Sequence, residues 1–149
     1  PVAIESMVIE TITPDETLLC RDRIEITGRL LEKRNLIMIN DSPAGVTDRS
    51  LELLLRFGIA LKKDGHGWVH REDFASRTGA TQFISRLRNE LRSLTLTKDG
   101  KIIENDGSGN YRLSIPPQNV IIDAESLMMH WNAVIKKACC EYLSCGFAK

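Results

Sequence analysis

Residues 80–94, ATQFISRLRNELRSL, carry two distinct faces at helical spacing. With Leu87 at the centre of one face and each successive side chain turned by about 100°, Ala80, Phe83, Ile84, Leu91 and Leu94 gather around it as an apolar stripe. Gln82, Ser85, Asn89 and Arg92 lie opposite, flanked by Thr81, Arg86, Arg88 and Ser93. The stripe predicts a helix docked on a core. The other face holds the side chains that read base edges and grip phosphates: amides with a paired donor and acceptor, hydroxyls, and the planar donor fork of arginine.

Working outward, Thr78-Gly79 is a tight turn feeding this helix, and residues 71–77 read as a short helix before it. Trp68-Val69-His70 has room for a single strand rung, and Asp64-Gly65-His66-Gly67 is a helix stop. Before the stop, SLELLLRFGIALKK (50–63) places Leu51, Leu54, Leu55, Ile59 and Leu61 largely on one side of a helix that tolerates Gly58, with Thr47 or Asp48 as its cap. On the other flank, residues 101–104 and 111–115 read as a hairpin around the glycine-rich tip 105–110. Pro116-Pro117 ends that sheet, and residues 123–143 form a final amphipathic helix with Leu127, Trp131, Val134, Ile135 and Ala138 on its apolar side.

The N-terminal part is strand-like. VAIESMVIETI (2–12) is rich in β-branched residues and ends at Thr13-Pro14-Asp15. Residues 18–40 hold three short strands, LLCRDR, IEITGRLLEK and NLIMIN, with Gly28 and a Lys33-Arg34-Asn35 corner as breaks, and residues 41–45 end the strand pattern. Helix, rung, helix, turn, helix, hairpin is the order of a winged helix-turn-helix. The expected fold is therefore α+β: a winged helix-turn-helix with an N-terminal antiparallel sheet, a three-helix core, a C-terminal β-hairpin wing and an additional C-terminal helix. The expected divisions are an extension at 1–17, the winged domain at 18–117 and a helical extension at 118–149.

A chain of 149 residues with 42% hydrophobic content has enough apolar side chain for a core. No run approaches the roughly 18 apolar residues of a membrane span, and no signal-peptide pattern occurs, so the expected location is cytoplasmic. The chain opens on Pro1, which leaves open a fragment of a longer regulator. Net charge is zero but unevenly spread: residues 1–44 carry five Lys/Arg against eight Asp/Glu, and residues 45–115 carry twelve against nine. The basic excess thus coincides with the candidate reading helix. Cys20, Cys139, Cys140 and Cys145 form no CxxC pair, and His66, His70 and His130 are not spaced to complete a zinc site, so free thiols and no cofactor are expected. His70, Glu72 and Asp73 are close in sequence, but no nucleophile or phosphate loop accompanies them, which argues against an enzyme.

At this point the chain resembles a known family. Gly67-Trp68-Val69-His70-Arg71-Glu72-Asp73-Phe74, Ile84-Ser85-Arg86-Leu87-Arg88-Asn89-Glu90-Leu91 and Gly109-Asn110-Tyr111-Arg112-Leu113 are similar to motifs of the DNA-binding effector domain of OmpR-type response regulators. That domain also heads the Streptomyces antibiotic regulatory proteins, whose leading strand is similar to Ile24-Glu25-Ile26-Thr27-Gly28. The likeness covers roughly residues 18–122. It implies a bacterial transcription regulator that binds double-stranded DNA sequence-specifically, with Gln82 and Arg86 entering the major groove and Phe83, Ser85 and Arg88 touching the backbone.

Arg77 and Arg92 join Ser85 and Arg88 as expected phosphate contacts, Asn89 joins the reading face, and Arg112 is a wing contact or an ordinary strand residue. Two residues depart from the family pattern. Phe83 stands where a polar residue or histidine is usual, and the wing arginine is replaced by Glu104-Asn105-Asp106. Further partner expectations are a homodimer through the terminal elements and contact with RNA polymerase. The alternative is a winged-helix protein–protein interaction module that binds no DNA.

Overall fold

The computed structural model describes residues 22–74, 79–92, 94–95 and 102–144. The strand expected over 2–12 lies outside the described residues. In chain order the elements are β1 (Ile24–Leu31), β2 (Arg34–Ile39), β3 (Ser42–Val46), α1 (Asp48–Asp64), β4 (Val69–His70), a 3-10 turn (Arg71–Asp73) and α2 (Ala80–Leu91). They continue as β5 (Ile103–Asn105), β6 (Asn110–Leu113), a second 3-10 turn (Pro117–Asn119), β7 (Val120–Ile122), α3 (Ala124–Leu127) and α4 (Ala133–Ser144). The fold is α+β.

Alternation decides the first sheet. Ile24, Ile26, Ile37, Ile39, Ala44 and Val46 are buried at every second position, so β1, β2 and β3 share one apolar face. They pair antiparallel through two tight turns. Asn40 and Asp41 both take positive φ (51° and 71°), the backbone that a two-residue hairpin turn requires. Residues 41–45, expected to end the strand pattern, therefore complete a hairpin and begin β3. Pro43 is accepted there because β3 is an edge strand, where the missing N–H breaks no ladder.

Three further expectations are corrected in this sheet. The β1–β2 turn falls at Glu32-Lys33 rather than at residues 33–35. Asp22 and Arg23, the described end of the expected LLCRDR strand, lie outside any strand. Gly28 does not separate strands. It sits inside β1, where the pairing register shifts between Ile26 and Leu30, and its N–H donates to Ser126 Oγ at 2.9 Å.

β7 was not foreseen. Val120, Ile121 and Ile122 run parallel to Ile24, Glu25 and Ile26, giving the strand order β3-β2-β1-β7. Three residues between a proline turn and a helix cap are too short for any periodicity to declare.

α1 begins where Thr47 Oγ1 accepts the N–H of Ser50 and ends where Gly65, at φ 87°, returns its N–H to the Leu61 carbonyl. Leu51, Leu53, Leu54, Leu55, Phe57 and Leu61 are buried, more than one face of a helix can hold. The reason is that α1 is wrapped: β1, β2 and β7 pack on it, as do α2, β6 and α4. It is the axis of the core.

The last helix is broken. Residues 123–143 were expected to be continuous, but Asp123 caps α3, which stops at Leu127, and Asn132 Oδ1 accepts the Val134 N–H at 2.9 Å to start α4. The break turns the expected apolar side apart. Leu127 and Ile135 are buried and Ala138 half-buried, whereas Trp131 is 70% exposed and Val134 48%.

Candidate nucleic-acid interface

α2 starts at Gly79, whose φ of 96° suits glycine, and no side chain caps its first turn. Ala80, Ile84, Leu87 and Leu91 are buried against the core. Helical geometry then delivers Thr81, Gln82, Ser85, Arg86, Asn89 and Arg92 to solvent. Among the described residues, no hydrogen bond, ion pair or ring contact engages the side chain of any of these six. Thr81, Gln82, Ser85, Arg86, Asn89 and Glu90 line a shallow, open depression along the helix. The helix ends at Leu91 rather than running to 94, and Asn40 Nδ2 donates to the Leu94 carbonyl at 3.2 Å, fixing the exit.

The expected site residues divide into two groups. Gln82, Ser85, Arg86, Asn89 and Arg92 stand together on the exposed face, while Arg77 lies outside the described residues. Arg88 and Arg112 are engaged elsewhere. Arg88 is half-buried, and its Nη2 and Nε donate to the Ile103 carbonyl at 2.7 and 3.2 Å, clamping α2 to β5. Arg112 Nε donates to Glu104 Oε1 at 2.7 Å, its Nη1 to the His66 carbonyl at 3.3 Å, and its guanidinium lies 4.4 Å over the Trp68 ring. Phe83 is neither fully buried nor free. The ring is half-buried against the core and roofed by the Arg49 guanidinium at 4.4 Å.

Two further charges, on Arg49 and Glu90, shape this face. Arg49 lies over Phe83 beside the start of α2, while also donating to Glu52 and to the Phe74 carbonyl. An arginine in the first turn of a helix opposes the helix dipole, the one sequence hint that it serves a neighbouring element. Glu90 would place a negative charge beside the exposed polar row. Arg34 Nη2 meets it at 2.7 Å and Ser50 Oγ donates to its other oxygen, so the carboxylate is held to β2 and α1 and its charge is offset. Nothing in the spacing of residues 34, 50 and 90 announces that triad.

β5 and β6 form the expected hairpin, and β4 pairs with β6 through Val69 and Tyr111, and His70 and Asn110. The Arg71 N–H donates to the Gly109 carbonyl at 2.8 Å, tying the 3-10 turn to the hairpin tip. That turn stands where the first residues of the expected 71–77 helix fall; residues 75–78 lie outside the described residues. The tip acids are occupied. Asp106 accepts from Asn110 Nδ2 and Ser108 N at 2.7 Å each, and these bonds, the Asn110 side chain first, hold its carboxyl below the usual carboxylate range. Glu104 carries Arg112, so the acidity of the hairpin is partly offset within it.

No match to the chain was found among protein families, curated proteins or solved structures. Among the described residues no three His, Cys, Asp or Glu side chains converge on a point that could hold a metal ion, and no helix is long and apolar enough to cross a membrane. Cys139 is a buried free thiol and Cys140 an exposed one, while Cys20 and Cys145 lie outside the described residues.

Proposed function

We propose that this chain is a sequence-specific double-stranded DNA-binding module of a bacterial transcription regulator, built as a winged helix-turn-helix of the OmpR type. α2 enters the major groove. Gln82, Arg86 and Asn89 read base edges, Ser85 and Arg92 hold phosphates with Arg49 beside them, and the β5–β6 hairpin serves as the wing. The observation that carries this reading is the row of exposed, unengaged polar side chains on α2, next to a carboxylate whose charge is already offset. Charged and amide side chains that face water without internal partners are what a phosphate- and base-contacting surface needs.

The test is selection of bound duplexes from a random pool, then titration of the selected site. Arg86→Ala should lose about 1–3 kcal/mol and flatten the preference at one base position. Phosphate contacts release counterions, so log affinity must fall as log salt rises. Affinity indifferent to salt, or absent for every duplex, overturns the proposal. The second reading, a protein-interaction module without DNA, is favoured by one observation: two of the expected arginines, 88 and 112, are engaged within the fold.

A further inference from the structure

The bend between α3 and α4 gathers four of the eight large apolar side chains that are exposed among the described residues. Met129 is 81% exposed, Trp131 70%, Val134 48% and Met128 37%. Leu30, at 59%, is the cross-strand partner of Asn35, whose side chain holds this bend through His130. The turn of the bend and the Trp131 ring are held in place. His130 Nε2 meets Asn35 Oδ1 at 2.7 Å, the Asn132 N–H donates to His130 Nδ1 at 2.9 Å, and the Trp131 ring stacks on His130 at 5.8 Å. A patch of Met and Trp has the composition of an interface centre, where an aromatic anchor already held in place, as Trp131 is by His130, loses little freedom on binding.

We infer that this bend is the contact surface for a second copy of the same chain. Charge points to that occupant. Glu125 precedes the bend, and Lys136 and Lys137 follow it. All three are exposed, and none makes an ion pair among the described residues. A two-fold contact sets residue i of one copy against j of the other and j against i, so an acid before the bend and a base after it pair twice. Zero net charge lets two copies approach without mutual repulsion.

A separate argument rests on the proposed DNA reading. α2 presents only Arg86 and Arg92 as unengaged cations, and a pair of copies doubles the phosphates neutralised in one complex. Consecutive residues of β2 hold both elements: Asn35 meets His130 of the bend, and Arg34 meets Glu90 of α2.

Sedimentation velocity on the full chain over a concentration series tests this. The wild type is expected to dimerise, and Trp131→Ser and Met129→Ser, at sites open to solvent, to weaken the dimer by about thirtyfold or more while circular dichroism is unchanged. Glu125→Lys and Lys136→Glu should each weaken it, and an equimolar mixture of the two should restore it, because only the mixed pair sets unlike charges together on both sides of the axis. A monomer at every concentration overturns the inference, as does a dimer indifferent to both Trp131→Ser and Met129→Ser. A dimer that binds no duplex leaves the inference standing and removes the DNA reading alone. If both hold, Trp131→Ser keeps wild-type affinity for a single-site duplex and loses the gain from an inverted repeat.

Discussion

Arg86 and Arg88 share a side chain and a helix, yet two positions of rotation give them different work. Arg86 points to water, and replacing it should leave the melting temperature where it was. Arg88 clamps the Ile103 carbonyl, so Arg88→Ala should cost about 1 kcal/mol of stability, a charged hydrogen bond discounted for partial exposure. Thermal unfolding of the two variants side by side checks that difference.

His130 makes a second prediction at this scale. Burial, against the pull of Asp48 and with a smaller push from Lys136, depresses its pKa below the ordinary 6.5. Nδ1 accepts the Asn132 N–H, so a proton there would break the bond that holds the bend. The unfolded chain therefore takes up this proton at a higher pH than the fold does. Stability should fall as pH drops through about 6.5 and level off below the depressed value. Denaturant midpoints at pH 7.5 and 5.5 should differ more for the wild type than for His130→Gln.

At the scale of elements, what could be read in the sequence was what repeats. α1, α2 and the hairpin announced themselves through periodicity and glycine, and the exposed row of α2 follows from the same wheel that buries Leu87. Elements decided by a distant partner were not legible. β3 hides behind a proline, β7 is three residues long, and the α3–α4 break is held by a bond from His130 to the distant Asn35. The site shows the same limit: Gln82, Ser85, Arg86 and Asn89 were legible, but Arg88's carbonyl partner and the Arg34–Glu90–Ser50 cluster lie 15 to 56 residues away. Gly28 joins two such elements. A Cβ there would stand 2.2 Å from the Ser126 carbonyl oxygen, so Gly28→Ala should destabilise by about 1–3 kcal/mol, the usual cost of overpacking, read from the denaturant midpoint.

For the whole molecule, α1 is the common wall of the sheet, the α2–hairpin layer and α4. A substitution in that shared core should be felt by every layer at once. Leu87→Ala is expected to cost about 2–5 kcal/mol, and far-UV circular dichroism and Trp68 fluorescence in a Trp131→Phe background should report one coincident transition. Separate transitions would mean that the layers unfold independently.

The parallel pairing of β1 with β7 also bears on how the chain is born. β1 emerges from the ribosome nearly a hundred residues before the strand that completes its sheet, and α1 in its turn waits for α4. Through that interval a helix apolar on several sides stands without its cover. Such long-range closure slows folding and exposes sticky surface along the way. The native state is therefore sealed only after α4 has been synthesised, and a chain truncated before residue 120 would present to chaperones and proteases the wall that the finished protein hides.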